Sequence, residues 1–322
     1  MTARDHSYDA ATATRGMLRH AVPLFGYPGV IASHTTILAN FFRRDLLGRF
    51  RGSFLGVFWV LVQPIFLFAI YFFVFGFLFA HRAMTGADKV EFALYLFSGI
   101  LAYTSFNEAT TRSCNVVLEN GNLVKKVAFP CELLPIPSIL VSMIVYAVGA
   151  AVLLSVGLSM GQLRLGWSTA ALPLVLLVHF VMTLGFGLLL ATLQVLVRDT
   201  IHLYTIFSQA WFFLSPVFWA HSLLEGKLLE NGLERWAFVL ELNPLYPLIQ
   251  AHRLALGFGP DHNQMRHVVM AKNAAGEVSF STGAPLPDVW YYLGYAAIWA
   301  TVMLVIGYSF FMSRKRKFSD LV

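Results

Sequence analysis

The residues of this sequence best equipped for chemistry are cationic. Arg43, Arg44, Arg49 and Arg51 stand together in FFRRDLLGRFRGS, and guanidinium forks hold phosphate or carboxylate oxygens by charge-assisted hydrogen bonds. Nucleophilic and hydrolytic chemistry has less to stand on. No lysine is followed by Ser or Thr, so the chain lacks the phosphate loop through which an ATPase grips its nucleotide; HExxH and GxSxG are missing too. No catalytic residue is assigned. Cys114 and Cys131 have no His pair at ligand spacing beside them, so no metal site is expected. Glu108 stands four residues before Arg112 and reads as a local ion pair on one helix face. His179, Gln63, Gln194 and Gln209 read as interhelical hydrogen-bonding groups. No second acidic or His residue is seen to form a proton relay with His179.

These groups must be held by membrane helices. The chain is 57% hydrophobic and only 12% charged, against about 25% charged in soluble domains. An all-α membrane protein is expected. Its net charge of +6 accompanies apolar runs rather than a separate basic domain, which excludes nucleic acid as a partner. Directly after the arginines, about 27 uncharged residues, 54–80, would span roughly 40 Å as a helix, enough for a ~30 Å hydrocarbon core. Gln63-Pro64 should kink this helix. Five further spans are expected at about 92–109, 134–160, 169–197, 201–220 and 289–312. Residues 1–35 read as a polar tail and 36–322 as the membrane domain. No secretory signal is visible in residues 1–20, so the first span should itself direct insertion.

Leu38, Phe42, Leu46 and Phe50 recur every four residues and predict an interfacial helix, apolar face in lipid and arginines at the head groups, with Arg49 lying close to the apolar stripe. With both termini in the cytosol, fifteen of the 23 basic residues fall in cytosolic segments, the distribution that the positive-inside rule favours. Of the connections, TRSCNVVLENGNLVKKVAFPCE carries a turn at Asn120-Gly121-Asn122 and a proline stop at Pro130, and reads either as a short docking helix or as a solvated loop. In the outer segment 221–288, two amphipathic helices are expected at 223–240 and 245–256, at the outer surface or dipping into the membrane. Residues 268–283 should form a weak hairpin around 273–276.

Aromatics crowd the first and fifth spans, and for most of them packing or interfacial belts suffice. A sugar polymer also prefers aromatic faces, so Trp59, Tyr71, Phe72, Phe75, Tyr204, Trp211 and Phe212 are candidates for a translocation path. Neither an internal repeat nor a midplane carboxylate supports an ion-coupled secondary transporter.

The runs RRDLLGRFRGSFLGVFWVLVQPIFLFAIYFFVFGFLF, NGNLVKKVAFPCELLPI, VRDTIHLYTIFSQAWFFLSPVFW and LNPLYPLIQAHR, in that order, resemble the permease subunit of ABC-2-type polysaccharide exporters, the group that exports O-antigen, capsule and teichoic acid polymers. The likeness covers about residues 36–322 and is most specific at Arg51-Gly52-Ser53-Phe54-Leu55-Gly56 and Ser215-Pro216-Val217-Phe218. Cys131 departs from it, because the family favours a basic residue after Phe129-Pro130. The resemblance implies a homodimeric channel in a bacterial cytoplasmic membrane, paired with two copies of a separate nucleotide-binding ATPase that carries the ATP and Mg. No cofactor is then expected in this chain. It further implies that the interfacial helix and the segment from about Glu119 to Pro130 contact the ATPase, the latter as a coupling helix with Glu119, Asn120, Leu123, Lys125, Lys126 and Phe129. The outer helices, with Trp236, Asn243, Tyr246 and Arg253, would form an external gate. The substrate would be a glycan on a polyprenyl pyrophosphate lipid, whose head suits Arg43, Arg44, Arg49 and Arg51; ordinary anionic phospholipid suits them equally. A permease for a drug or small lipid shares this layout, and a membrane-bound glycosyl- or acyltransferase would need a carboxylate or His pair that the sequence does not offer.

Overall fold

The computed structural model describes residues 24, 26–49, 51–78, 86–125, 130–233, 235, 238–259, 265–272 and 278–322. Chain order gives α1 (Tyr27–Ser33), α2 (Thr35–Arg49), α3 (Trp59–Tyr71), α4 (Gly86–Glu119), α5 (Gly121–Val124), α6 (Pro135–Ser159), α7 (Leu172–Leu196) and α8 (Thr200–Leu214). After these come α9 (His221–Glu230), α10 (Phe238–Glu241), α11 (Leu245–Ala255), a hairpin of β1 (Arg266–Lys272) and β2 (Val278–Pro285), and α12 (Val289–Leu321).

Among the described residues, four helical stretches are long and apolar enough to cross a membrane: Gly56–Val74, Cys131–Ser159, Thr169–Leu196 and Val289–Phe318. They match the expected first, third, fourth and sixth spans, and the chain is a multi-pass membrane protein. The other two differ for separate physical reasons. α4 has 34 residues, about 51 Å of helix, but its second half carries Glu108, Thr110, Arg112 and Ser113. Most of this half is enclosed by neighbouring helices, so it need not be apolar all round. α8 stops after 15 residues, about 22 Å and short of the ~30 Å core. It ends because Pro216 forces the residue before it out of the helical region: Ser215 sits at ψ 152°.

Other expectations shift in the same way. The irregularity in the first span lies beyond its proline: α3 runs through Pro64 and widens into a π-helix over Phe72–Leu78. The expected helix over 223–240 is two pieces, α9 and α10, because Asn231-Gly232 stops the first, with Gly232 at φ +65°. The two strands pair as expected, antiparallel with Val268 opposite Thr282 and Lys272 opposite Val278, while residues 273–277 lie outside the described residues. A helix also precedes the expected boundary at residue 36, over Tyr27–Ser33. In α1, Tyr27 is buried, its hydroxyl donates to the Glu132 carbonyl at 2.7 Å, and its ring lies 5.0 Å from that of Tyr308. Burial, then the neighbouring Glu132 and Tyr308, holds its pKa well above the ordinary tyrosine value.

α7 and α12 approach until their backbones touch. A Cβ on Gly185 would lie 2.5 Å from the Leu304 nitrogen and the Met303 carbonyl carbon, and one on Gly307 would collide with the Gly185 carbonyl oxygen. Small residues at such a crossing let backbones pack where lipid supplies no hydrophobic drive. Two cores flank it. One gathers Tyr27, Leu38, Val117, Leu133, Tyr308, Phe311 and Phe318 at the end of the bundle where α1, α2, α5 and the end of α12 meet, here called the basic end. The larger core surrounds α11, all of whose residues are buried. The outer surface, one of the two locations expected for this helix, is not where it lies: it is enclosed by the other helices.

Candidate functional site

At the basic end, the Leu38, Phe42 and Leu46 stripe fixes how α2 presents its arginines. Leu38 is buried in the core there, and Phe42 borders an apolar groove of about 340 Å³ lined also by Leu140, Met143, Ile144, Ala147 and Leu176. The stripe therefore faces α6, where lipid alone was expected. Arg43 and Arg44 consequently point outward, and Arg51 is exposed in the following turn. The Arg44 guanidinium lies 4.6 Å from the Phe41 ring centre and 3.3 Å from the Asp45 carboxylate, and donates to Asn120 Oδ1 at 3.2 Å.

Arg49 falls on the inward side. Its Nη2 reaches Glu108 Oε1 at 2.6 Å, and Arg112 Nε reaches the same oxygen at 3.2 Å. The expected Glu108–Arg112 pair is present, and the unexpected third member explains why Arg49 departs from a clean polar face. The Arg49 side chain is only 8% exposed, against 27% for Glu108 and 47% for Arg112.

The coupling candidates begin where α4 ends. Glu119 is exposed, while Asn120 is buried with its Nδ2 donating to the Val116 carbonyl at 2.8 Å. The Asn120 carbonyl accepts from Leu123 at 2.9 Å and Val124 at 3.2 Å, starting the single turn of α5. Gly121 packs so closely on the Val322 side chain that a Cβ there would collide with it. Leu123 is half-buried and Lys125 exposed; Lys126 and Phe129 lie outside the described residues. Nearby, the Lys315 ammonium meets the buried Glu132 carboxylate at 2.7 Å.

The path candidates divide by exposure. Trp59 is exposed, Tyr71 and Phe72 are half-buried, and the Phe75 side chain is not among those described. Tyr204 and Trp211 are buried inside the chain. The Tyr204 hydroxyl pairs with that of Thr110 at 2.6 Å, and Trp211 Nε1 donates to Asn243 Oδ1 at 2.9 Å while its ring packs among Phe106, Phe186 and Phe207. Phe212 stacks edge-on against Tyr103 and Phe218 at 4.9 and 4.8 Å. Phe66, Phe73, Phe77, Phe207 and Phe213 join Trp59 as exposed rings of α3, its π extension and α8.

At the opposite end, Asn243 joins α8 to α11: it accepts from Trp211 and the Leu245 amide and donates to the Ser215 hydroxyl at 2.9 Å. The Tyr246 hydroxyl pairs with His221 Nδ1 at 2.8 Å. Arg253 is wholly buried. Its Nη1 donates to the Tyr95 hydroxyl at 2.8 Å and to Gln250 Oε1 at 3.3 Å, its Nη2 donates to the Val217 carbonyl at 3.2 Å, and its carbon centre lies 3.6 Å from the middle of the Tyr95 ring. Trp236 is outside the described residues.

Beside Arg253, His252 bridges the Tyr146 hydroxyl at 2.7 Å and His179 Nδ1 at 3.0 Å. The interhelical bond expected of His179 is therefore made, to a partner that sequence reasoning missed. The available signal was the run Gln250-Ala251-His252-Arg253 in an otherwise apolar short helix. Gln194 also bonds as expected, its Oε1 accepting from the Ile201 amide at 2.8 Å and its Nε2 donating to the Arg198 carbonyl at 2.9 Å, which fixes the α7–α8 turn. Gln63 and Gln209 are exposed.

The sequence profile of the ABC-2 type transporter family matches residues 38–256, from the first buried leucine of α2 to the residue after α11. O-antigen export system permease protein RfbA of Myxococcus xanthus is 24% identical over 237 residues, covering 74% of this chain and 84% of the relative. A protein of the same name from Klebsiella pneumoniae is 21% identical over 211 residues, covering 65% of this chain and 76% of its own length.

Proposed function

This chain belongs to the ABC-2 type transporter family, and on that premise we propose that it is the channel-forming permease of an ATP-driven exporter for a polysaccharide carried on a polyprenyl pyrophosphate lipid. The observation that carries this reading is the basic end. An arginine-bearing helix stands beside the turn expected to receive an ATPase, tied to it by the bond from Arg44 to Asn120. The relatives' function as O-antigen export permeases favours a glycan lipid over a drug or small lipid. A transferase finds no support in the family match.

The reading places the chain in the cytoplasmic membrane of a bacterium, with the basic end in the cytosol. Two copies form the path, and each engages one nucleotide-binding subunit through Glu119, Asn120, Leu123, Lys125, Lys126 and Phe129. Arg43, Arg44, Arg49 and Arg51 receive the pyrophosphate. Gln63 and Gln209 support a paired assembly: Gln63 is exposed on the apolar α3 and Gln209 on α8 beside exposed His202 and Thr205, where polar groups against lipid would be costly. A second copy or an aqueous path across α3 and α8 gives them partners. Among the path candidates, Trp59, Tyr71 and Phe72 remain closest to this surface, joined by Phe66, Phe73, Phe207 and Phe213. Tyr204 and Trp211 act as its braces. α11, with Asn243, Tyr246 and Arg253, closes the far side.

ATP closure in the partner pushes the coupling turn, and Asn120 passes that displacement to α2. The test is mild detergent extraction of tagged protein from cells with or without residues 119–126. Wild type should retain an ATPase subunit in equal amount, and the deletion should lose it and stop export at normal protein abundance. Retention of the ATPase and of export by the deletion would refute the coupling assignment.

A further inference from the structure

We propose that Glu108 is an internal latch: it occupies an anion site formed by Arg49 and Arg112, and a pyrophosphate group displaces it. The inference rests on the reading that the basic end receives a phosphorylated head. Both guanidiniums bond the same oxygen, Glu108 Oε1, at 2.6 and 3.2 Å. One carboxylate thus faces two arginines, and the cluster keeps a net positive charge even while the latch is closed. A second anion is therefore attracted before Glu108 leaves.

The graded exposure of the three side chains supplies a route. Arg112 is 47% exposed and meets an incoming anion first, whereas Arg49 is 8% exposed and is reached only as Glu108 rotates away. A pyrophosphate group brings more charge than a carboxylate and enough oxygens to bind each arginine fork through two hydrogen bonds. Displacement has a structural consequence, because the Arg49–Glu108 bond fastens the end of α2 to α4. Binding of the head group unfastens that seam, so occupancy at the membrane surface is reported to the helix that ends in the coupling turn. Glu108 is in this sense a positioning residue: it presents and releases the arginines without itself holding substrate.

Binding to the full-length chain in phosphatidylcholine nanodiscs tests this, with geranylgeranyl pyrophosphate as the membrane-anchored probe and inorganic pyrophosphate as the soluble one. Glu108→Gln should tighten binding roughly five- to tenfold. Glu108→Asp, which keeps the charge but shortens the reach, should tighten it less. Adding Arg49→Gln to Glu108→Gln should cancel the gain, an outcome that a merely structural role for Glu108 would not produce. A gain confined to the prenyl probe identifies a lipid head as the displacing group; an equal gain with both probes identifies the pyrophosphate anion irrespective of its anchor. Unchanged or weaker binding in both Glu108 variants, at wild-type gel-filtration behaviour, overturns the latch while leaving the substrate reading intact if wild type binds the prenyl probe. Failure of wild type to bind that probe overturns both.

Discussion

Arg253 shows at the scale of one residue how this fold uses charge. A guanidinium with no exposed surface is costly to bury, and its three acceptors, Tyr95, Gln250 and the Val217 carbonyl, offset that cost. Its removal strands those groups and opens a cavity. Arg253→Leu should therefore destabilise the chain by about 1–3 kcal/mol, read as a lower thermal unfolding midpoint in detergent, with Arg253→Lys falling between. A midpoint unchanged in Arg253→Leu would show that this interior is hydrated and forgiving. The sequence displayed such groups unevenly. Glu108 and Arg112 were legible as a pair because helix spacing alone brings them together, whereas Arg49 and His252 depend on distant segments meeting, which no local spacing encodes. Tyr204 and Trp211 illustrate the same limit: their types suit a sugar path, but only the positions of Thr110 and Asn243 reveal that they brace the interior.

At the scale of elements, uninterrupted apolar length made four spans readable, and Pro216 and Gly232 explain where the expected helices at 201–220 and 223–240 break. α4 was underestimated because burial, rather than composition, makes its polar half tolerable in a membrane. The contact between α7 and α12 depends on two glycines far apart in sequence, and nothing local announces it. Gly307→Leu should force these helices apart and cost at least about 1–3 kcal/mol, measured by thermal unfolding and by folded yield after detergent extraction. Gly294→Leu, where an added Cβ meets nothing within 4 Å, is the matched control. Equal behaviour of the two variants would contradict the close crossing.

Across the whole molecule, the two ends divide the work. α1, α2, α5 and the end of α12 converge where the arginines and the coupling turn lie, while the far end buries α11 and its Gln250, His252 and Arg253 inside the larger core. On the proposed reading, the first end loads a pyrophosphate head and receives force from an ATPase, and the second holds the outer closure. Family membership was legible because its marks, the arginine-led first span and the Ser215-Pro216 break, are contiguous in sequence. The substrate is not written in any such run. It is tested most directly in intact cells lacking this chain, with surface and cytosolic glycan separated and complementation by wild type. The account predicts that polymer accumulates on its lipid inside and that wild type restores it to the surface; polymer reaching the surface normally without the chain would contradict it.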